Sequence, residues 1–345
     1  MLYLTTREPW DAFTCYRAQR QDRGPEGGFF LPMRPPHFEG DDLKEIAGRS
    51  FSQNVAHIMN KLYRGRLTGW DVEFAVGRYP VRLVQLGSRT AVAETWHNVS
   101  WKFEGFVRNL EKLLNPEPGE RPAEWFTLSV RIAVLFGVYG ELMAAGVAGP
   151  DSPVDVVVPS FDFQAPMAAW YAREWGLPIG TIICCCNENS GIWSLLHQGE
   201  LRTDAPLRHT ATPACDQVVP AGLERLIWEV LGFDETQRFV ECCRTGAEYQ
   251  IDPISQEKLR RGITVAVVSG ERMKFMVPNI YRTFKKIPDP YTAMAYGGLV
   301  DHRSRVGENN AALILSDESP IFSVDLLSGA MGFSPDAIRD RLNRG

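Results

Sequence analysis

Residues Asp155 to Cys186, DVVVPSFDFQAPMAAWYAREWGLPIGTIICCC, constrain the fold of this chain more than any other stretch. Asp155 to Ser160 is a β-branched run closed by Pro159. Gln164 to Trp175 is a helical stretch stopped by Gly176 and Pro178, and Ile179 to Cys186 is a second apolar run. Two apolar runs flanking one helix predict parallel pairing in a sheet covered on both faces. The turn between the first strand and the helix is where an α/β enzyme holds a phosphate.

The remaining segments extend this unit in both directions. A short strand Leu2 to Leu4 is followed by Thr5-Thr6-Arg7 and a Gly/Pro-rich turn ending Gly27-Gly28-Phe29-Phe30-Leu31-Pro32, so the first strand is expected to pair with a later one. Helices are expected from Asp42 to Ala47 and from Phe51 to Tyr63, the second with Ser50 as N-cap. Strands Val81 to Leu86 and Ala91 to Thr95 precede a helix whose apolar positions Phe103, Phe106, Val107, Leu110, Leu113 and Leu114 form one stripe. Asn115 to Ala123, with three prolines and no periodicity, is the candidate linker. Beyond it come a long helix from Ser129 to Ala145, the central unit, helices at 191–198 and 221–230, and a strand Thr264 to Ser269. A helix from Glu271 that Pro278 is expected to interrupt, a helix Asp289 to Leu299, a strand Ala311 to Leu315 and a terminal helix Ser334 to Leu342 complete the chain. Alternating strands and helices predict an α/β, doubly wound, mostly parallel sheet.

Composition excludes little but is consistent. With 345 residues, 44% hydrophobic and 23% charged, the chain can bury a large core, and a net charge of −5 gives no electrostatic footprint for nucleic acid or an anionic membrane. The start MLYLTTREPW has no signal-peptide pattern, and the apolar tract Ile132 to Tyr139 is too short to span a bilayer before Glu141. Seven cysteines include the adjacent sets 184–186 and 242–243, with no zinc spacing. Neighbours on a strand point to opposite faces, so these cysteines read as core thiols of a reduced, cytoplasmic protein. Six histidines show no ligand spacing, and the Asn98-Val99-Ser100 sequon carries no meaning in that compartment.

Several motifs, taken together, resemble threonine synthase, a pyridoxal-phosphate (PLP) enzyme of fold type II, the tryptophan synthase β-subunit-like kind. Tyr3 with Thr5-Thr6-Arg7 and Gly27 to Pro32 are similar to the family opening Y-x-S-T-R and D-G-G-L-Y-V-P. Leu177 to Gly180 resembles L-P-I-G, Asn187-Glu188-Asn189 resembles N-E-N, Leu223 to Leu226 resembles F-E-R-L, and Asp289 to Ala293 resembles D-P-H-T-A. These matches are spread in order over nearly the whole chain. They are mostly framework, and ancestry is not activity.

The resemblance implies three requirements for PLP chemistry. The first is a lysine, since only a primary amine forms the Schiff base; the family carries it in L-A-F-K-D-F after a histidine. After His97, an ungapped match puts Phe103 and Phe106 on the family phenylalanines and Glu104 on the lysine position. A two-residue shift brings Lys102 there instead, at the cost of the apolar register, because two residues rotate a helical side chain by about 200°. The second is the phosphate cradle T-G-N-F-G, matched by Ser160, Phe161, Asp162, Phe163 and Gln164: both glycines are replaced, and Pro166 removes a donor nearby. Asp162 is expected to cap the helix rather than admit a phosphate, and the pocket at this turn to have closed. The third is the small subdomain with its S-G-D-T-G loop, whose place is taken by residues 115–123. The family threonine that faces the pyridine nitrogen falls at Asp317, which reads more readily as a surface turn.

Residues 1–114 are therefore expected to hold the family opening and the former lysine helix, 115–123 to replace most of the small subdomain, and 124–345 to form the large α/β domain. The chain reads as a degenerate, truncated relative that has lost cofactor chemistry and serves as a binding or regulatory homologue, with no cofactor required. Its expected partners are a second copy or an active homologue and a small amino-acid-like ligand, with no nucleic acid and no membrane. Two alternatives stand beside this: an active threonine synthase-like lyase using Lys102 and PLP, with Ser160, Asp162, Gln164 and Asp317 at the cofactor, and a cofactor-independent enzyme in which Asp162, Glu104 and Asp317 converge in the old cleft.

Overall fold

The computed structural model describes residues 1–77, 81–98, 100–115, 117–149, 152–307 and 310–344. Val99 of the sequon, Pro116 of the linker and Pro150 before the central unit lie outside the described residues. The central sheet has six strands, numbered here in chain order: β1 (Arg82–Gln85), β2 (Thr90–Glu94), β3 (Val154–Pro159), β4 (Ile179–Cys186), β5 (Thr264–Val267) and β6 (Ala311–Ser316). Their spatial order is β5-β4-β3-β6-β2-β1. All neighbours are parallel except β1, which pairs antiparallel with β2 at the edge. The unit 155–186 thus supplies the two adjacent strands β3 and β4 and the helix Gln164–Glu174 between them.

Both faces of the sheet are buried, and alternate residues divide between them. Val156, Val158, Cys184 and Cys186 join one core with Phe106, Leu135 and Trp175, while Val157, Ile183 and Cys185 join a second with Met273, Met294 and Leu299. Cys184 to Cys186 therefore alternate sides, and all seven cysteines are free thiols. The first core also takes in Tyr3, Val55 and Phe126, so the N-terminal segment packs on the same sheet that β1 and β2 extend.

The motifs that carry the family resemblance hold one another. Strand Leu2–Thr5 pairs antiparallel with Phe13–Thr14 and Phe30–Pro32. Next to it, Thr6 Oγ1 and Arg7 donate to the Glu224 carboxylate, with Arg7 Nη2 2.8 Å from Oε2. Arg225, fully buried, donates to Glu124 Oε2 at 2.7 Å and to the Phe30 carbonyl at 3.2 Å. A buried guanidinium is tolerated only with partners of this kind.

Several boundaries differ from the sequence reading for physical reasons. The long helix runs Glu124–Ala144, starting five residues before Ser129, because the Glu124–Arg225 pair anchors its first turn. It is long and apolar enough to cross a membrane by length and composition, against the expectation from Ile132 to Tyr139, yet most of it is buried inside the fold. Helix Gly270–Phe284 continues through Pro278. The carbonyl left without a donor is that of exposed Lys274, which water can satisfy. Helices 69–76, 233–245, 253–262 and 324–331 were not expected. From helix Phe103–Leu114 to helix Glu124–Ala144 the chain passes through residues 115–123, whose described members form neither helix nor strand. Among the described residues the only other sheets are the three-stranded N-terminal one and a two-stranded antiparallel pair, consistent with the reduced small subdomain expected from the sequence.

Candidate functional site

A cavity of about 300 Å³ opens at the carboxyl ends of β3 and β6. This is where a doubly wound sheet places its ligand. Six segments build it: the turn after β3, the loop after β6, the start of helix Phe103–Leu114, residues Arg121 and Pro122, the first half of helix Glu124–Ala144 and the start of helix Pro290–Val306. Lys102, Glu104, Asp162, Gln164 and Asp317 all line it; Ser160 does not. The closed pocket expected at this turn is therefore not observed: the side chains of Phe161, Asp162 and Gln164 border a cavity that remains open.

The turn itself is unusual. Phe161 and Phe163 both adopt left-handed backbone angles, φ 38° and 71°, on either side of Asp162. Side chains larger than glycine occupy this region at a cost of about 1–2 kcal/mol each. Burial of the Phe163 ring holds the conformation, together with hydrogen bonds from Phe163 N to Ser160 O (2.7 Å) and from Gly222 N to Asp162 O (2.9 Å). At Gly222 a Cβ would meet Asp162 O at 2.8 Å, so the helix carrying the Leu223 to Leu226 motif touches the turn only because that residue is glycine. The helix N-cap is Phe163, not Asp162 as expected; Asp162 Oδ1 accepts instead from Gln164 N at 3.1 Å, one residue further on. Burial pushes the Asp162 carboxyl above the usual carboxylate range, with Arg131 opposing part of the shift.

Helix Phe103–Leu114 is tied to the loop after β6. Phe103 N donates to Asp317 O at 2.8 Å, Ser319 N donates to Trp101 O at 3.1 Å, and Lys102 and Glu318 form an isolated antiparallel bridge. Phe103, Phe106, Val107 and Leu110 are buried, which fixes the rotation of this helix. Lys102 precedes it in extended conformation, its Nζ 3.7 Å from Glu318 Oε1 and 4.6 Å from the centre of the Phe322 ring. Glu104 is largely exposed at the mouth, facing Arg108 at 3.8 Å.

Asp317 is not on a surface turn. Its side chain is 13% exposed, accepts from Thr95 Oγ1 at 2.9 Å and pairs with Arg131, whose guanidinium lies 4.2 Å from the centre of the Phe103 ring. The sequence pattern hides Arg131 because it sits in an apolar helix. The available signal was the charge itself, since an arginine amid Val130 and Ile132 demands a buried partner. Asp289, also lining the cavity, caps helix Pro290–Val306 through Tyr291 N and Thr292 N, and burial pushes it up to about 6. Asp301 and Arg303 have separate partners: Asp301 pairs with Arg272 at 2.6 Å, while Arg303 donates to Thr90 and Asn310. His97 stacks on Trp96 and lies 2.8 Å from Glu94 Oε2.

No family model matches the chain. In sequence it is 28% identical over 176 residues to threonine synthase-like 1 of Macaca fascicularis and of Homo sapiens, covering 50% of this chain and 23% of each relative. It is 26% identical over 206 residues to threonine synthase of Saccharomyces cerevisiae, covering 54% of this chain and 40% of that one. The matched region thus spans well under half the length of these relatives. Among solved structures, PLP-bound threonine synthase from Brucella melitensis superposes with a TM-score of 0.85 at 16% identity, covering 99% of this chain and 94% of that one. The yeast threonine synthase gives 0.81 at 18%, covering 96% and 90%.

Proposed function

We propose that this chain, a member of the threonine synthase family, has lost PLP-dependent catalysis and uses the family cleft as a binding pocket, acting as a binding or regulatory homologue. One observation carries the reading: the turn Ser160 to Gln164, where the resemblance implies a phosphate cradle, is occupied by Phe161, Phe163 and the Asp162 carboxylate. The Phe163 and Gln164 N–H groups are already bonded within the turn, and Pro166 has none. The cavity is lined by five carboxyls, of Glu104, Asp162, Asp289, Asp317 and Glu318, against the cations of Lys102, Arg121 and Arg131. These residues do not fit a phosphate dianion.

Three features keep the cleft suited to a small polar ligand. Arg131 and Asp317 form its floor, Lys102 and Glu318 its rim, and Asp162 a wall whose carboxylate accepts one hydrogen bond from Gln164. A ligand with both an ammonium and a carboxylate, amino-acid-like, matches that arrangement of charges. The chain acts in the cytoplasm, as its free thiols, those of Cys184, Cys185, Cys186 and Cys215 buried, suit a reducing compartment, either as a homodimer or beside an active homologue.

A second reading is favoured by the convergence of Glu104, Asp162 and Asp317 in one cavity: a cofactor-independent enzyme using the raised Asp162 carboxyl as a general acid. Titration with PLP, followed by absorbance and by borohydride trapping, separates these from an active lyase. No Lys102-dependent aldimine band is expected; a band abolished in Lys102→Ala would show that the cofactor is retained at that residue and sink the proposal. Turnover of amino-acid substrates that survives without PLP and disappears in Asp162→Asn would favour the second reading.

A further inference from the structure

A second cavity, of about 480 Å³, shares no lining residue with the first. It lies where the end of helix Gly270–Phe284, the last helix Pro335–Arg344 and the edge of the central sheet meet. Three aromatic side chains, Trp96, Tyr281 and Phe284, form its apolar wall. Five basic side chains line it against one carboxyl, Glu94, which already faces His97 at 2.8 Å.

Some of these cations have work within the fold. Lys285 is the left-handed C-cap of helix Gly270–Phe284 and donates to the Arg282 carbonyl at 3.1 Å. Arg341 donates to the Tyr281 hydroxyl at 3.2 Å and lies over the Phe333 ring. Lys286 and Arg344 are different: among the described residues neither makes a hydrogen bond or an ion pair, and Lys286 is half-buried beside Lys285. In a chain of net charge −5, like charges collected in a recess repel one another unless an anion enters.

We propose that this cleft binds a planar aromatic anion of mononucleotide size. The ring stacks against the Trp96, Tyr281 and Phe284 wall, and the phosphate or carboxylate group sits between Lys286 and Arg344. The volume is within the range of small-ligand sites.

Adenosine monophosphate is the probe, with binding measured by calorimetry on the full chain at low salt. Saturable one-to-one binding is expected, weakened about tenfold or more in Lys286→Ala and in Arg344→Ala. Lys286→Arg should recover most of the loss, and Lys258→Ala, an exposed lysine elsewhere, should bind as the parent does. Adenosine and inorganic phosphate, each carrying half of the recognised chemistry, should bind at least about tenfold more weakly. Circular dichroism and melting curves check that each variant is folded. The proposal is overturned by no saturable binding, by an affinity unchanged in both alanine variants, by adenosine binding as tightly as the nucleotide, or by a short oligonucleotide binding more tightly than the monomer.

Discussion

Arg131 and Asp317 lie 186 positions apart in the chain and meet as an ion pair on the floor of the first cavity, both side chains nearly buried. The pair joins the long helix to the loop after β6, and Thr95 Oγ1 supplies a further bond to the carboxylate. Breaking such a pair from one side leaves an uncompensated charge. Arg131→Met is therefore expected to destabilise the chain by about 3 kcal/mol in urea unfolding. The double variant Arg131→Met/Asp317→Leu should lose clearly less than the sum of the two single losses. Additive losses would show that the two residues do not act as a pair.

Asp289 makes stability depend on pH in a defined direction. Burial raises its carboxyl from 3.8 to about 6 in the folded state, so the native chain holds this proton more tightly than the unfolded chain does. Its contribution is complete below pH 3.8 and is lost as pH rises through about 6. The loss amounts to at most about 3 kcal/mol. Asp162 and Glu229 are raised by burial as well, so the informative quantity is a difference. Over that window the unfolding free energy of Asp289→Asn should fall less than that of the parent; parallel profiles would remove Asp289 as the cause.

At the turn, Phe163→Ala should cost about 3–4 kcal/mol, since the ring is fully buried. Phe161→Gly should be near neutral. Relief of the left-handed strain, about 1–2 kcal/mol, offsets the loss of a half-buried ring that packs on Tyr291 at 5.1 Å. Combined with Asp162→Asn, the glycine should also admit inorganic phosphate to a site from which the parent excludes it. Phosphate binding equal in parent and variant would mean that the filled turn is not what excludes the anion.

The opening motif and the Leu223 to Leu226 motif stand or fall together. Arg225→Met leaves the Glu124 carboxylate and the Phe30 carbonyl without their donor, and a loss of about 3–5 kcal/mol is expected in denaturant unfolding. Glu224→Gln should cost less. It leaves Arg7, which is partly exposed, with a neutral partner and retains an acceptor for Thr6.

Much of the architecture was legible because its signals are local. The β-branched run of β3 and the glycine and proline that end the following helix specify a strand and a helix stop whatever surrounds them. Ser50 and Gln53 likewise form a reciprocal capping box from four consecutive positions. Helices 69–76 and 233–245 are not legible because each has buried residues too few to mark a stripe: Val72 and Val76 in one, Thr236 and Phe239 in the other.

The sequence by itself determined the strands β3 and β4, the helix between them and the alternation of Cys184 to Cys186 across the sheet, since each follows from residue type and short-range periodicity. Only the tertiary structure decided that Lys102, Asp162 and Asp317 share one cavity, that Asp317 is claimed by Arg131, and that Phe161 and Phe163 keep a left-handed turn without glycine there. Charge pairing and strain at such a site are settled by groups far apart in the chain, 186 positions for Arg131 and Asp317. Their energies depend on burial and distance, and neither exists until the chain has packed.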